Sequence, residues 1–110
     1  MSASDALFLA QTTCPNQERA GVLAEQLVKA HLAACVNIGP PSRSVYPWAG
    51  TIETAEEVVL TIKTSKAKIE ALKAFISEHH GYDVPELLLI EVSDGLPAYL
   101  TWAKNWLDQD

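Results

Sequence analysis

The sequence predicts an α+β fold with elements in the order β-α-β-β-α-β, followed by one further helix. Three observations carry this. Apolar residues recur at helical spacing around 20–28, 69–79 and 99–106. Apolar and β-branched runs before and between those windows read as strands. A long run from 33 to 64 carries a turn signal at Ala49 and Gly50, so it reads as one hairpin with very long arms.

The elements follow in order. Residues 6–13, ALFLAQTT, read as a largely buried strand, broken by Cys14, Pro15 and Asn16. Asn16 is placed to cap a helix, with Glu18 favourable in its first turn. Ala20, Leu23, Ala24, Leu27 and Val28 make one apolar stripe, so the first helix is expected from Gln17 to His31. AACVNIG at 33–39 begins the second strand. Gly39, Pro40 and Pro41 interrupt it as a bulge or sharp bend does, and it resumes through SRSVYPW. TIETAEEVVLTIKT at 51–64 is the returning arm, with Val58, Leu60 and Ile62 on one face. Ser65 is placed to cap the second helix. Its stripe is Ile69, Leu72, Ile76 and His79, flanked by Phe75, and Gly81 follows its end. ELLLIEV at 86–92 reads as the fourth strand. Tyr99, Trp102, Ala103 and Trp106 mark the third helix, with the two tryptophans packing on its face.

The β-α-β-β-α-β core is the ferredoxin-like split βαβ arrangement, an antiparallel sheet with two helices on one face. The third helix covers part of the other face, and partner subunits are expected to cover the rest. The hairpin tip carries Tyr46 and Trp48, which read as interface anchors.

Composition bounds the function. A chain of 110 residues is about one domain, here residues 1–110. The net charge of −6 lacks the basic footprint of a nucleic-acid binder and is repelled by an anionic membrane surface. The start, MSASDALFLAQTT, has no basic n-region and is not read as a signal peptide. No apolar run is long enough to span a membrane. The chain is expected in the cytoplasm, with Cys14 and Cys35 as free thiols. No GxSxG, glycine-rich phosphate loop or HExxH occurs, so no enzyme activity is expected.

TTCPN at 12–16, LAACVNI at 32–38, SVYPWAGTIE at 44–53 and IKTS at 62–65 resemble the CutA divalent-cation tolerance proteins. HHGYDVPE at 79–86 and YLTW at 99–102 agree with it. The resemblance implies a homotrimer of ferredoxin-like subunits with a role in tolerance to divalent metals, copper the ion most often named. It also implies a likeness to the trimeric PII signalling proteins. The family's proposed copper site uses two adjacent histidines, matched by His79 and His80, and a cysteine at the end of the first strand. Aligned on Pro15, that cysteine position falls on Thr12, while this chain places its thiol at Cys14. The two positions share a strand face about 6–7 Å apart. Gly81 stands where many relatives have proline.

Each candidate has two readings. His79, His80 and Cys14 are the metal candidates, with copper the candidate cofactor. Adjacent helical residues diverge by about 100°, so the pair needs an unwound helix end or a neighbouring subunit to close on one ion. The structural reading has His79 continuing the apolar stripe at a helix C-terminus. Cys14 lies before a helix N-terminus, where a thiol is activated, or is a small residue in a turn. Cys35 reads as a packing residue. Lys63, Tyr82 and Glu86 are candidates for a cleft between subunits that takes a small anionic ligand, or for an interface ion pair. Two functions follow: a trimer that binds metal ions weakly, and a PII-like regulatory trimer.

Overall fold

Among residues 6–109, which the computed structural model describes, the first strand β1 (Leu7–Cys14) stops where Pro15 has no N–H to continue a ladder. The leaderless reading of the first residues falls partly on 1–5, outside that range. Helix α1 (Gln17–Lys29) then opens on Asn16, whose Oδ1 accepts from the Arg19 N–H at 2.8 Å. Its stripe buries Ala20, Leu23, Ala24 and Leu27.

The helix ends two residues before the expected His31. His31 adopts φ 59°. Its N–H bonds the Val28 carbonyl, and the Leu32 N–H bonds that of Leu27, both at 3.0 Å. This is a Schellman closure with histidine in the place glycine favours. The ring helps hold it: His31 Nδ1 donates to the Trp106 carbonyl at 3.0 Å and the two rings lie 4.0 Å apart.

Strands β2 (Cys35–Trp48) and β3 (Thr51–Ser65) form the long hairpin, turning at Ala49 and Gly50, both at positive φ. A short 3-10 turn at 66–68 leads into α2 (Ile69–His79). Ser65 holds the N-terminal position there, but its side chain makes no capping bond; the 3-10 turn separates it from α2. The buried stripe of α2 is Leu72 and Ile76, and His80, one residue beyond the helix, continues it in place of His79. Strand β4 (Leu88–Glu91) is shorter than expected. Pro85 lacks a donor and restricts Val84, so the chain joins the ladder only at Leu88, opposite Gln11. Helix α3 (Pro97–Leu107) closes the order.

The four strands pair antiparallel in the order β2-β3-β1-β4, the ferredoxin-like arrangement. On one face Ala10, Cys14, Val58, Leu60 and Ile62 meet the apolar stripes of α1 and α2. On the other, α3 covers only the end near Leu7, which packs with Ala34, Ala103 and Leu107. The stripe Leu100, Ala103, Leu107 turns inward. Trp106 is half-buried and donates from Nε1 to the Val28 carbonyl, whereas Trp102 stays 53% exposed, contrary to its expected packing. Beyond α3 the second face lies open, and the hairpin extends the molecule to 46 Å against about 25 Å across.

Candidate functional site

The bulge in β2 builds the site. Ile38 pairs with Leu60, but the next ladder partner is Pro41 with Val58, so β2 spends one more residue than β3 across this step. Side chains alternate strictly along a strand, and one extra residue exchanges the faces. Before the bulge the odd residues Cys35 and Asn37 share the open face with Lys63 and Thr61. After it the even residues Tyr46 and Trp48 do, opposite Glu53 and Thr51. Gly39 permits the close crossing, since a Cβ there would lie 3.2 Å from the Val59 carbonyl oxygen.

The result is an open cleft of about 440 Å³. Glu53, Ala55 and Glu57 line it from alternate positions of β3, Tyr46 and Trp48 from β2, and Thr13 from the end of β1. The segment after α2 closes the other side with Tyr82, Asp83, Val84 and Glu86. Gly81, at φ 100°, turns the chain there, and a Cβ would come within 3.0 Å of Arg19 Nη2. That same nitrogen donates to the His80 carbonyl at 3.0 Å, which ties the segment to α1.

Four carboxylates and no lysine or arginine line the cleft. Tyr82 donates its hydroxyl to Glu57 Oε2 at 3.1 Å. Burial, then the bond to Glu57 and its charge, push the phenol up to about 12, so it remains a donor across the neutral range. Glu86 accepts from Gln11 Nε2 at 3.1 Å. Of the expected trio, Tyr82 and Glu86 line this cleft. Lys63 does not: its ammonium donates to Asn37 Oδ1 and stands 3.8 Å from Cys35 Sγ, on the open face. Cys35 is accordingly half-buried beside a charge rather than packed in the core.

The adjacent histidines part company. His79 is exposed, stacked on Phe75 with centroids 4.1 Å apart, and its Nδ1 donates to the Phe75 carbonyl at 3.0 Å. His80 is buried, and its Nε2 donates to the Thr13 carbonyl at 2.6 Å. A carbonyl only accepts, so in the neutral rings the lone pairs lie on Nε2 of His79 and Nδ1 of His80. The latter is buried without a partner. A carbonyl that fixes the tautomer is what a metal-binding histidine uses, but here the exposed lone pair belongs to one ring and the buried one to the other. Cys14 is buried on the helix face. Burial pushes its thiol up from the ordinary value; Arg19 opposes the rise and Glu57 adds to it. Burial thus outweighs the pull of the Arg19 charge. Thr12 shares that face and is wholly buried. Among the described residues no three His, Cys, Asp or Glu side chains converge to hold a metal ion. His79, His80 and Cys14 therefore do not form a closed copper site within one chain.

Sequence reading missed Glu53, Glu57 and Asp83. The signal was present: Glu53 and Glu57 fall at even spacing along an arm, on one face, and Asp83 stands between Tyr82 and Glu86.

A split βαβ sandwich with an overlong hairpin and an acidic, aromatic cleft defines a small domain of the ferredoxin-like class. The chain belongs to the CutA1 divalent ion tolerance protein family, whose sequence profile matches residues 8–106. It is 42% identical over 93 residues to the chloroplastic protein CutA of Arabidopsis thaliana, covering 84% of this chain and 51% of that protein. It thus spans about half the length of that curated relative. The crystal structure of CutA1 from Oryza sativa superposes with a TM-score of 0.91 at 38% identity, covering 96% of each chain. The structure of the periplasmic divalent cation tolerance protein CutA from Archaeoglobus fulgidus gives 0.89 at 31% identity, covering 93% of this chain and 99% of that one. The family's description and the name of the Archaeoglobus fulgidus protein are those of divalent-cation tolerance proteins and indicate no enzyme activity. No helix among the described residues is long and apolar enough to cross a membrane.

Proposed function

We propose that this chain acts in divalent-cation tolerance as a homotrimer that holds copper and similar ions weakly, with the cleft as the cation-attracting surface. The observation that carries this is the cleft lining, with Glu53, Glu57, Asp83 and Glu86 and no basic residue. Carboxylates that line one concavity focus a negative potential and raise the local concentration of cations. Because they do not converge, an ion keeps much of its water, and binding is weak. Copper leads the divalent series at nitrogen and oxygen donors; His79, on α2 and outside the cleft lining, offers its exposed ring as a separate copper contact. A small anion, the other expected ligand, meets four like charges in the cleft of one chain, with Lys63 outside it.

The trimer reading is supported by the open sheet face. Leu88 and Ile90 are exposed there, as are Tyr46 and Trp48 on the hairpin. An apolar face of this kind marks an association surface. Tyr46 and Trp48 edge the cleft as well, so a partner packed on the hairpin becomes part of its wall. The reading places the trimer in the cytoplasm; Cys14 and Cys35 stand as free thiols, as a reducing compartment leaves them.

Calorimetric titration with copper, zinc and magnesium tests the reading. Copper gives a weak saturable isotherm, zinc a weaker one and magnesium the least. Glu57→Gln lowers the cleft's affinity for copper and zinc together, and His79→Ala removes only a separate copper contact on α2. Cys14→Ser leaves it unchanged, because the thiol is buried. A copper isotherm untouched by Glu57→Gln contradicts the cleft reading.

A further inference from the structure

The C-terminal ends of α1 and α3 meet, and a ring from each caps the other. The last carbonyls of a helix have no partner within it. Trp106 Nε1, on α3, donates to the Val28 carbonyl of α1 at 3.1 Å. His31, just past α1, donates from Nδ1 to the Trp106 carbonyl of α3 at 3.0 Å, and the two rings lie 4.0 Å apart. His31 holds this place at φ 59°, a conformation that glycine adopts at less cost. The ring, not the backbone turn, accounts for a histidine there. The rest of α3 is lightly held. Its buried Ala103 and Leu107 pack with Leu7 and Ala34 in a cluster apart from the main core beneath α1 and α2. Among the described residues, none of α3 belongs to that main core. At its other end Leu96 makes no side-chain cap and stands 78% exposed. The Val92 N–H still bonds the Leu7 carbonyl at 3.0 Å, but residues 93–96 after it form neither helix nor strand.

We propose that α3 is a strap that opens as a unit, with residues 93–96 as its hinge and the reciprocal cap of His31 and Trp106 as its latch. A segment seated on a small, separate cluster opens at lower free energy than the sheet that carries it. Opening breaks both bonds of the latch and lifts Ala103 and Leu107 off Leu7 and Ala34, while the four-stranded ladder keeps its pairing. It uncovers the end of the sheet face that also carries Leu88 and Ile90. The latch therefore sets how much of that apolar face one copy presents. His31 is a positioning residue in this device, since it acts on the sheet face only through the seat of α3. The strap depends on neither the cleft nor a bound cation.

Hydrogen exchange of the protein in its native assembly, read segment by segment, tests this. In the wild type the amides of residues 103–107 exchange at least about tenfold faster than those of β1 and β3. Their exchange also depends more weakly on denaturant, because a local opening exposes little surface. His31→Gly suits the backbone turn but removes one half of the latch. Trp106→Phe keeps a ring but removes the other N–H. Each speeds α3 exchange by a further factor of about three to ten, the worth of one hydrogen bond, and leaves β1 and β3 unchanged. Wild-type α3 amides that exchange only together with the strands overturn the proposal, and an α3 clamped by neighbouring copies gives that result. A His31→Gly protein with α3 protection unchanged or raised overturns the latch, since the position then favours only the turn. Loss of protection in β1 and β3 to the same extent as in α3 makes the contact part of the whole fold and likewise overturns it.

Discussion

On the helix-covered face of the sheet, Ala10, Leu60 and Ile62 are wholly buried beneath α1 and α2. On the open face of the same strands, Leu88 and Ile90 are more than half exposed, at 57% and 58%. The ladders that hold the two faces are shared, so backbone pairing does not account for the difference. One face is completed within the chain. The other carries apolar residues, the bulge-directed aromatics and the acidic cleft, and remains incomplete in a single copy. Stability resides on the first face; the proposed association and cation binding belong to the second.

The largest break in that comparison comes from Leu60→Ala. It removes a wholly buried side chain beneath the helices and is expected to cost about 2–5 kcal/mol by denaturant unfolding. A loss near zero would mean the covered face is not the stabilising one. Trp48→Ala acts on the other side. It leaves the fold of one chain intact and weakens assembly by about 2 kcal/mol, read as a dissociation midpoint that moves to higher protein concentration. An assembly unchanged by this substitution removes Trp48 from the interface.

The histidine pair sharpens the comparison at smaller scale. His80→Ala takes a buried ring from the Thr13 carbonyl and is expected to cost about 1–3 kcal/mol. His79→Ala, on an exposed helix end, stays within about 0.5 kcal/mol. Reversed values would return His79 to the apolar stripe.

The Tyr82 phenol gives the mildest effect. Its value of about 12 in the fold stands above the ordinary 10 of an unfolded chain. The folded state therefore holds the proton more tightly. That contribution is fully present below pH 10 and is lost as pH rises toward 12. In Tyr82→Phe, the fall in stability across this alkaline window should be smaller than in the wild type. An equal fall in both proteins assigns the loss to other groups.

Much of the covered face was legible in the sequence because its rules are local. Asn16 sits one residue before a stripe at helical spacing, and it caps. Val58, Leu60 and Ile62 alternate, and they are buried. The bulge was legible as well, since Gly39, Pro40 and Pro41 cannot continue a regular ladder. Its consequence was not. That Tyr46 and Trp48 share a face with Glu53 follows only from counting partners across the hairpin, which needs the register. Lys63 shares that open face but stands farther along β3, opposite Cys35, outside the cleft of one chain. The histidine stripe failed for a different reason: positions three and four beyond Ile76 both fit a 3.6-residue period, and the fold buries the fourth, His80, rather than His79. Of the two readings of Cys14, an activated thiol or a small, partly buried residue in a turn, the fold favours burial, which raises the thiol.

The claim beneath all of this is that the open face is closed by further copies of the chain. Light scattering coupled to size separation, at micromolar protein, measures it most directly. The account predicts a mass three times the 12.0 kDa of one chain. A mass of one chain at that concentration would contradict it, since Leu88, Ile90 and Trp48 would then stand in water with nothing to cover them.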